Sequence, residues 1–149
     1  FIDGTIAFLQ PTWKIPVGDG GVDNLSFGSL TAPVDLATGE VGRPILQATM
    51  VRHDSHPLTG ARLTGLTLPE WPRVLQLARD AMALYPPLRS LGFDIGVTID
   101  GARIVEVNPY WGIQMMQGPQ GRGVLHGRFL EFLEELGAED VIRRRARRL

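Results

Sequence analysis

Residues 91–117, LGFDIGVTIDGARIVEVNPYWGIQMMQ, constrain the fold more than any other stretch. Two alternating segments, 93–99 and 102–108, meet at Asp100-Gly101, a strong hairpin signal. In the first, Phe93, Ile95, Val97 and Ile99 alternate with Asp94, Gly96 and Thr98. In the second, Val105 and Val107 alternate with Glu106 and Asn108. Side chains repeat every second residue along a strand, so Glu106 and Asn108 share a face. A two-residue turn would put Asp94 on the opposite face. A three-residue loop of Ile99, Asp100 and Gly101, with a left-handed glycine in a G1 bulge, instead pairs Thr98 with Ala102 and Asp94 with Glu106. It also gathers Ile95, Val97, Val105 and Val107 on one buried face, and burial selects register. The expectation is therefore that the two carboxyl groups lie roughly 4–7 Å apart. With Asn108 they would give three oxygen donors on one patch, a set suited to a hard cation such as magnesium. The plain alternative is a half-exposed hairpin whose polar face meets water.

The chain has 149 residues, enough for one domain with a sizeable core. It has no cysteine, which excludes a disulfide framework and thiol chemistry. Neither a signal peptide nor an apolar run long enough to span a bilayer is seen in these residues, and a cytoplasmic location is the expectation. Net charge is −1, but Arg143, Arg144, Arg145, Arg147 and Arg148 crowd the C-terminus, leaving an acidic body and a basic tail. The tail is read as a solvated helix end, with contact to nucleic acid or an anionic surface as the less favoured alternative. The chain opens FIDGTIAF, without an initiator methionine, and reads as a piece of a longer polypeptide.

Residues 1–52 read as β-rich, with strands expected over 5–9, 13–17 and 31–36 and an extended run over 44–52. Residues 53–65, HDSHPLTGARLTG, form a loop; two histidines without a third ligand or a cysteine do not make a zinc site. Over 69–85, Trp71, Val74, Leu75, Ala78, Ala81, Met82 and Tyr85 mark one buried helical stripe, stopped by Pro86-Pro87. GPQGRG, 118–123, reads as a loop lacking both P-loop and dinucleotide spacing. A second amphipathic helix runs from His126 to Leu136 with Gly137 as its C-cap, and a last one starts near Ala138. Strands first and helices later predict an α+β domain, an antiparallel β-sheet with helices on one face.

With these motifs in view, the sequence resembles the ATP-grasp superfamily, and within it the sugar-transfer-associated, α-L-glutamate-ligase-related branch. LGFDIGVTIDGARIVEVNPYWG resembles the family's metal-binding strand pair, and GGVDNLSFGSL its Asp-Asn segment. VDLATGEVG and HPLTGARLTGLTLPEW resemble the connecting loops of this branch. Some relatives carry a hexapeptide-transferase label, but no six-residue repeat is present to support it. The resemblance implies the C-terminal portion of an ATP- and magnesium-dependent carboxylate–amine ligase working through an acyl-phosphate. It places magnesium on Asp94, Glu106 and Asn108, with Lys14 as the catalytic cation facing the phosphates. Asp23, Asn24 and His56 would bind substrate. ATP, a small carboxylate and a nucleophile would be the partners, together with an N-terminal part of the same polypeptide. The isolated chain would be inactive.

Two departures are visible. Phe27-Gly28-Ser29 stands where the family has paired glycines, and the chain is about half the usual length. Two rivals come from other classes. One is a non-catalytic scaffold that keeps the fold. The other is a hydrolase using Asp94 and Glu106 as acid and base, for which cross-strand neighbours sit too close for an inverting pair.

Overall fold

The structure is a computed structural model and describes residues 2, 4–18, 28–138 and 140. The arginine cluster and the expected last helix lie outside the described residues. The elements run β1 (Thr12–Ile15), β2 (Leu30–Pro33), β3 (Ile45–Leu46), β4 (Val51–Arg52), α1 (Trp71–Ala83), β5 (Gly92–Thr98), β6 (Gly101–Asn108), α2 (Gln114–Gln120) and α3 (Gly127–Glu135). The α+β antiparallel class is the expected one. Among the described residues, however, the strands make two sheets: β1-β2-β3-β4 and the β5-β6 hairpin.

Alternation explains the first sheet. Trp13 lies opposite Ala32 and Ile15 opposite Leu30. Those side chains share a face and, with Val41 and Leu63, form the hydrophobic core. Thr12, Lys14 and Thr31 take the other face. The run 44–52 is not one strand. It turns back after Leu46, whose carbonyl accepts the Met50 N–H at 2.8 Å, with Met50 left-handed at φ 59°. The strand expected over 5–9 is also absent; Thr5 makes only an isolated bridge to Ile2.

Helix α2 covers the second face of β1 and β2. It includes Gly118 and Pro119, which sequence assigns to a loop. Proline has no N–H, so the carbonyl four residues back, Met115, loses its helical donor. The Thr12 hydroxyl replaces it, donating to Met115 O at 3.0 Å. The Arg52 guanidinium donates to Pro119 O at 3.1 Å, and Gly121 closes the helix left-handed at φ 65°. A tertiary partner thus lets a poor helical segment stay helical.

Helix α1 packs against both hairpin strands and buries Trp71, Ala78, Ala81 and Met82. Its first residue, Trp71, donates its indole N–H to Leu36 O at 3.0 Å and lies against Gly39. A Cβ on Gly39 would come within 2.6 Å of the indole, and its φ is +76°. That turn is fixed by the Asp35 carboxylate, which accepts the Thr38 N–H at 2.8 Å, the Thr38 hydroxyl at 2.8 Å and the Ala37 N–H at 3.0 Å. The Thr38 N–H, then its hydroxyl, lower the Asp35 pKa below 3.8, with desolvation opposing them. Helix α3 buries Phe132 and sets Phe129 edge-on to Trp111, ring centres 6.0 Å apart. Among the described residues no helix is long and apolar enough to cross a membrane.

Candidate metal and phosphate site

The site forms where the first sheet meets the hairpin. Lys14 occupies the β1 face that also carries Thr12, the residue that anchors α2. From there its ammonium reaches Asp94 on β5, Nζ to Oδ2 2.6 Å. Both side chains are partly exposed, 26% and 35%, so the pair stands near the surface and not in the core. Two residues 80 positions apart, assigned separately from sequence, meet directly.

The hairpin brings the remaining donors to the same side. Asp94 lies opposite Glu106, and Gly92 opposite Asn108. Directly opposed residues of an antiparallel pair share a face, so Asp94, Glu106 and Asn108 do too. The expected pairing of the two carboxylates is present, but by another route. The loop holds only Ile99 and Asp100, between paired Thr98 and Gly101. The Thr98 hydroxyl tightens it, accepting the Asp100 N–H at 3.2 Å and donating to Gly101 O at 3.1 Å. Parity changes later, at a β-bulge: Ile95 pairs with Ile104 and Asp94 with Glu106, leaving Val105 without a partner.

That bulge corrects the expected faces. Val105 leaves the apolar row and is 76% exposed, near the position a Cβ on Gly96 would take. The apolar row is Phe93, Ile95 and Val97 with Ala102, Ile104 and Val107. Arg103, opposite Gly96, joins the polar face with Asp94 and Glu106. Simple alternation puts Arg103 on the other side. Only the bulge position would have found it.

Gly92 and Trp111 close one end of the polar face. A Cβ on Gly92 would lie 3.0 Å from Trp111 Cβ and 3.7 Å from Asn108 Cβ. The Trp111 indole donates to the Ser90 hydroxyl at 3.3 Å, which fixes the ring's orientation. Sequence reasoning passed over this wall because NPYWG carries no periodic signal.

His56 is engaged by backbone groups. Its Nδ1 accepts the Leu58 and Thr59 N–H groups, both at 3.3 Å, so Nε2 carries the proton and donates to Pro16 O at 2.9 Å. Both ring nitrogens serve the loop and tie it to the end of β1. Asp23 and Asn24 lie outside the described residues.

Two carboxylates and a neutral amide on one face fit magnesium, which takes few protein oxygens and leaves positions for phosphate and water. The Lys14 ammonium against Asp94 shows that a cation suits that carboxylate. Among the described residues no cluster of three or more His, Cys, Asp or Glu side chains could hold a metal by itself. The amide of Asn108 and ligands from a nucleotide are therefore integral to the fit.

An α+β architecture of antiparallel sheets, with a hairpin presenting acid and amide groups to a lysine, is consistent with an ATP-grasp-type fold. A model of the sugar-transfer associated ATP-grasp family matches residues 5–132, most of the chain, and the chain belongs to that family. No curated protein and no solved structure matches it. Membership gives an ATP-grasp-like function, ligase-like in class, with ATP as the nucleotide.

Proposed function

We propose that the protein contributes to ATP- and magnesium-dependent activation of a carboxylate, followed by carbon–nitrogen bond formation. The pairing of Asp94 with Glu106 on one polar face, with Lys14 against it, carries this reading. A substrate carboxylate oxygen attacks the γ-phosphorus of ATP, and ADP leaves with the bridging oxygen. An amine then attacks the acyl carbon of the acyl-phosphate, inorganic phosphate leaves, and the nitrogen loses a proton.

The first step brings an anion against an anion, so charge stabilisation is what the site must supply. Magnesium, when bound, would offset charge on the phosphate oxygens. Asp94, Glu106 and Asn108 would hold it on the face they share. The Lys14 ammonium would bind phosphate oxygens from the first sheet, and the Arg103 guanidinium from the hairpin. Trp111 would exclude water from the Asn108 end. His56 would act by position, fixing the loop at the end of β1, with Asp23 and Asn24 on the acceptor side. The family description favours a carboxylate linked to cell-surface or polysaccharide sugar.

The Lys14–Asp94 ion pair also favours a second reading, a non-catalytic scaffold in which it is only a strut between the sheets. Trapping with hydroxylamine separates the two. Assayed in the longer polypeptide that the sequence reading expects, with ATP, magnesium and a panel of sugar acids, the ligase reading predicts a hydroxamate that disappears in Asp94→Asn and Glu106→Gln. Equal yield in those variants, or yield unaffected by removing magnesium, would contradict it.

A further inference from the structure

A cavity of about 200 Å³ lies where α2, α3, the segment before β1 and the turn after β2 meet. Phe8, Leu36, Met116, Val124 and Phe129 supply its apolar wall. Two glutamines on that wall are already engaged. The Gln10 amide donates to Val34 O at 2.8 Å, and Gln120 Oε1 accepts the Arg122 Nε–H at 3.2 Å. The interior therefore selects by apolar contact, and a void of about 150 Å³ already takes a benzene ring. Two of the walls, Phe8 and Phe129, are themselves aromatic and favour a ring over a chain.

Charge around the cavity has one sign. Among the described residues no Asp or Glu lines it. Arg128 does, and Glu131 offsets its charge from 2.7 Å. Arg79 of α1 lies over the Phe8 ring, its guanidinium carbon 5.1 Å from the ring centre, and makes no ion pair among the described residues. Leu36 and Arg128 reach solvent, so the cavity opens to water and an ionised group at its mouth is not buried. We propose that this cavity binds a small aromatic acid, its ring against Phe8 and Phe129 and its anion toward Arg79. None of Lys14, Asp94, Glu106 and Asn108 lines it, so it is not the metal face. Phe129 links the two. It meets Trp111 edge-on at 6.0 Å, and Trp111 lies against Gly92, the residue paired with Asn108. A ring seated against Phe129 is therefore felt at Trp111.

Protein labelled at its four methionine methyls gives four ¹³C signals, and titration with benzoate needs neither ATP nor metal, so its failure leaves the ligase reading untouched. The Met116 signal should move and saturate with a midpoint on the order of 1 mM. The Trp111 indole N–H signal should move with the same midpoint. Toluene keeps the ring and lacks the anion; it should bind about three- to fivefold more weakly, and Arg79→Gln should remove that difference. Leu36→Trp, at a partly exposed wall position, should fill the cavity and abolish both shifts, and Leu9→Trp repeats the test if that variant folds poorly. Toluene bound as tightly as benzoate, or benzoate bound unchanged by Arg79→Gln, would overturn the acid. Shifts that survive both tryptophan variants, or no saturable shift in the wild type, would overturn the site. A Met116 shift with Trp111 unmoved would overturn the link to the polar face.

Discussion

Asp94 faces Glu106 across the hairpin because the ladder skips Val105 one step before they meet. The bulge carries the geometry of the polar face, and Val105 itself contributes little packing. Val105→Ser should change stability by less than about 0.5 kcal/mol, as surface substitutions do. Val107→Ser, in the half-buried apolar row opposite Phe93, should cost about 1–2 kcal/mol. Urea unfolding of the two variants checks this. Equal costs would mean that both valines are packed, as unbroken alternation demands.

The Thr12 hydroxyl serves the carbonyl that Pro119 leaves without a donor. Thr12→Val should cost about 1–2 kcal/mol through an unsatisfied, partly buried carbonyl. In a Pro119→Ala background the restored amide can serve Met115, and the cost of Thr12→Val should shrink. A double-mutant cycle measures the coupling, expected at about 0.5–1 kcal/mol. Strict additivity would sever the link.

Gly39 meets Trp71 where neither a Cβ nor an ordinary φ fits. Gly39→Ala should cost about 2–4 kcal/mol, by strain at positive φ together with overpacking. Thermal unfolding measures the loss. A variant as stable as the wild type would place the indole elsewhere.

Asp35 gives the acid limb of stability a definite sign. Its folded pKa lies below 3.8 because the Thr38 N–H and hydroxyl, and then the Ala37 N–H, favour the charged form. A depressed carboxylate stabilises the fold fully above its unfolded value, and that stabilisation fades as pH falls through the lowered folded value. The gap in melting temperature between wild type and Asp35→Ala should therefore be constant above about pH 5 and narrow between about pH 4 and 2. A gap that widens on acidification would reverse the assignment.

Legibility in the sequence followed the range of the interaction. Period-two alternation located both hairpin strands and the face shared by Glu106 and Asn108, because that pattern is local. Glycine signals a bulge in the turn, whereas a valine in regular alternation, Val105, carries it. Met50 bears no turn signature, so the reversal between β3 and β4 read as a continuous strand. Gly118 and Pro119 looked like breakers because the donor that rescues their helix, Thr12, lies more than 100 residues away. The sequence marks Lys14 and Asp94 separately, but nothing local says that they touch.

If Asp94, Glu106 and Asn108 form one metal-binding face for a nucleotide complex, manganese with ATP should settle on it, and paramagnetic broadening detects even weak binding there. Amide signals of residues 94, 106 and 108 should broaden first, with those of Lys14 and Arg103 close behind, and Glu106→Gln should remove the effect. Broadening centred elsewhere, or unchanged in Glu106→Gln, would contradict the account.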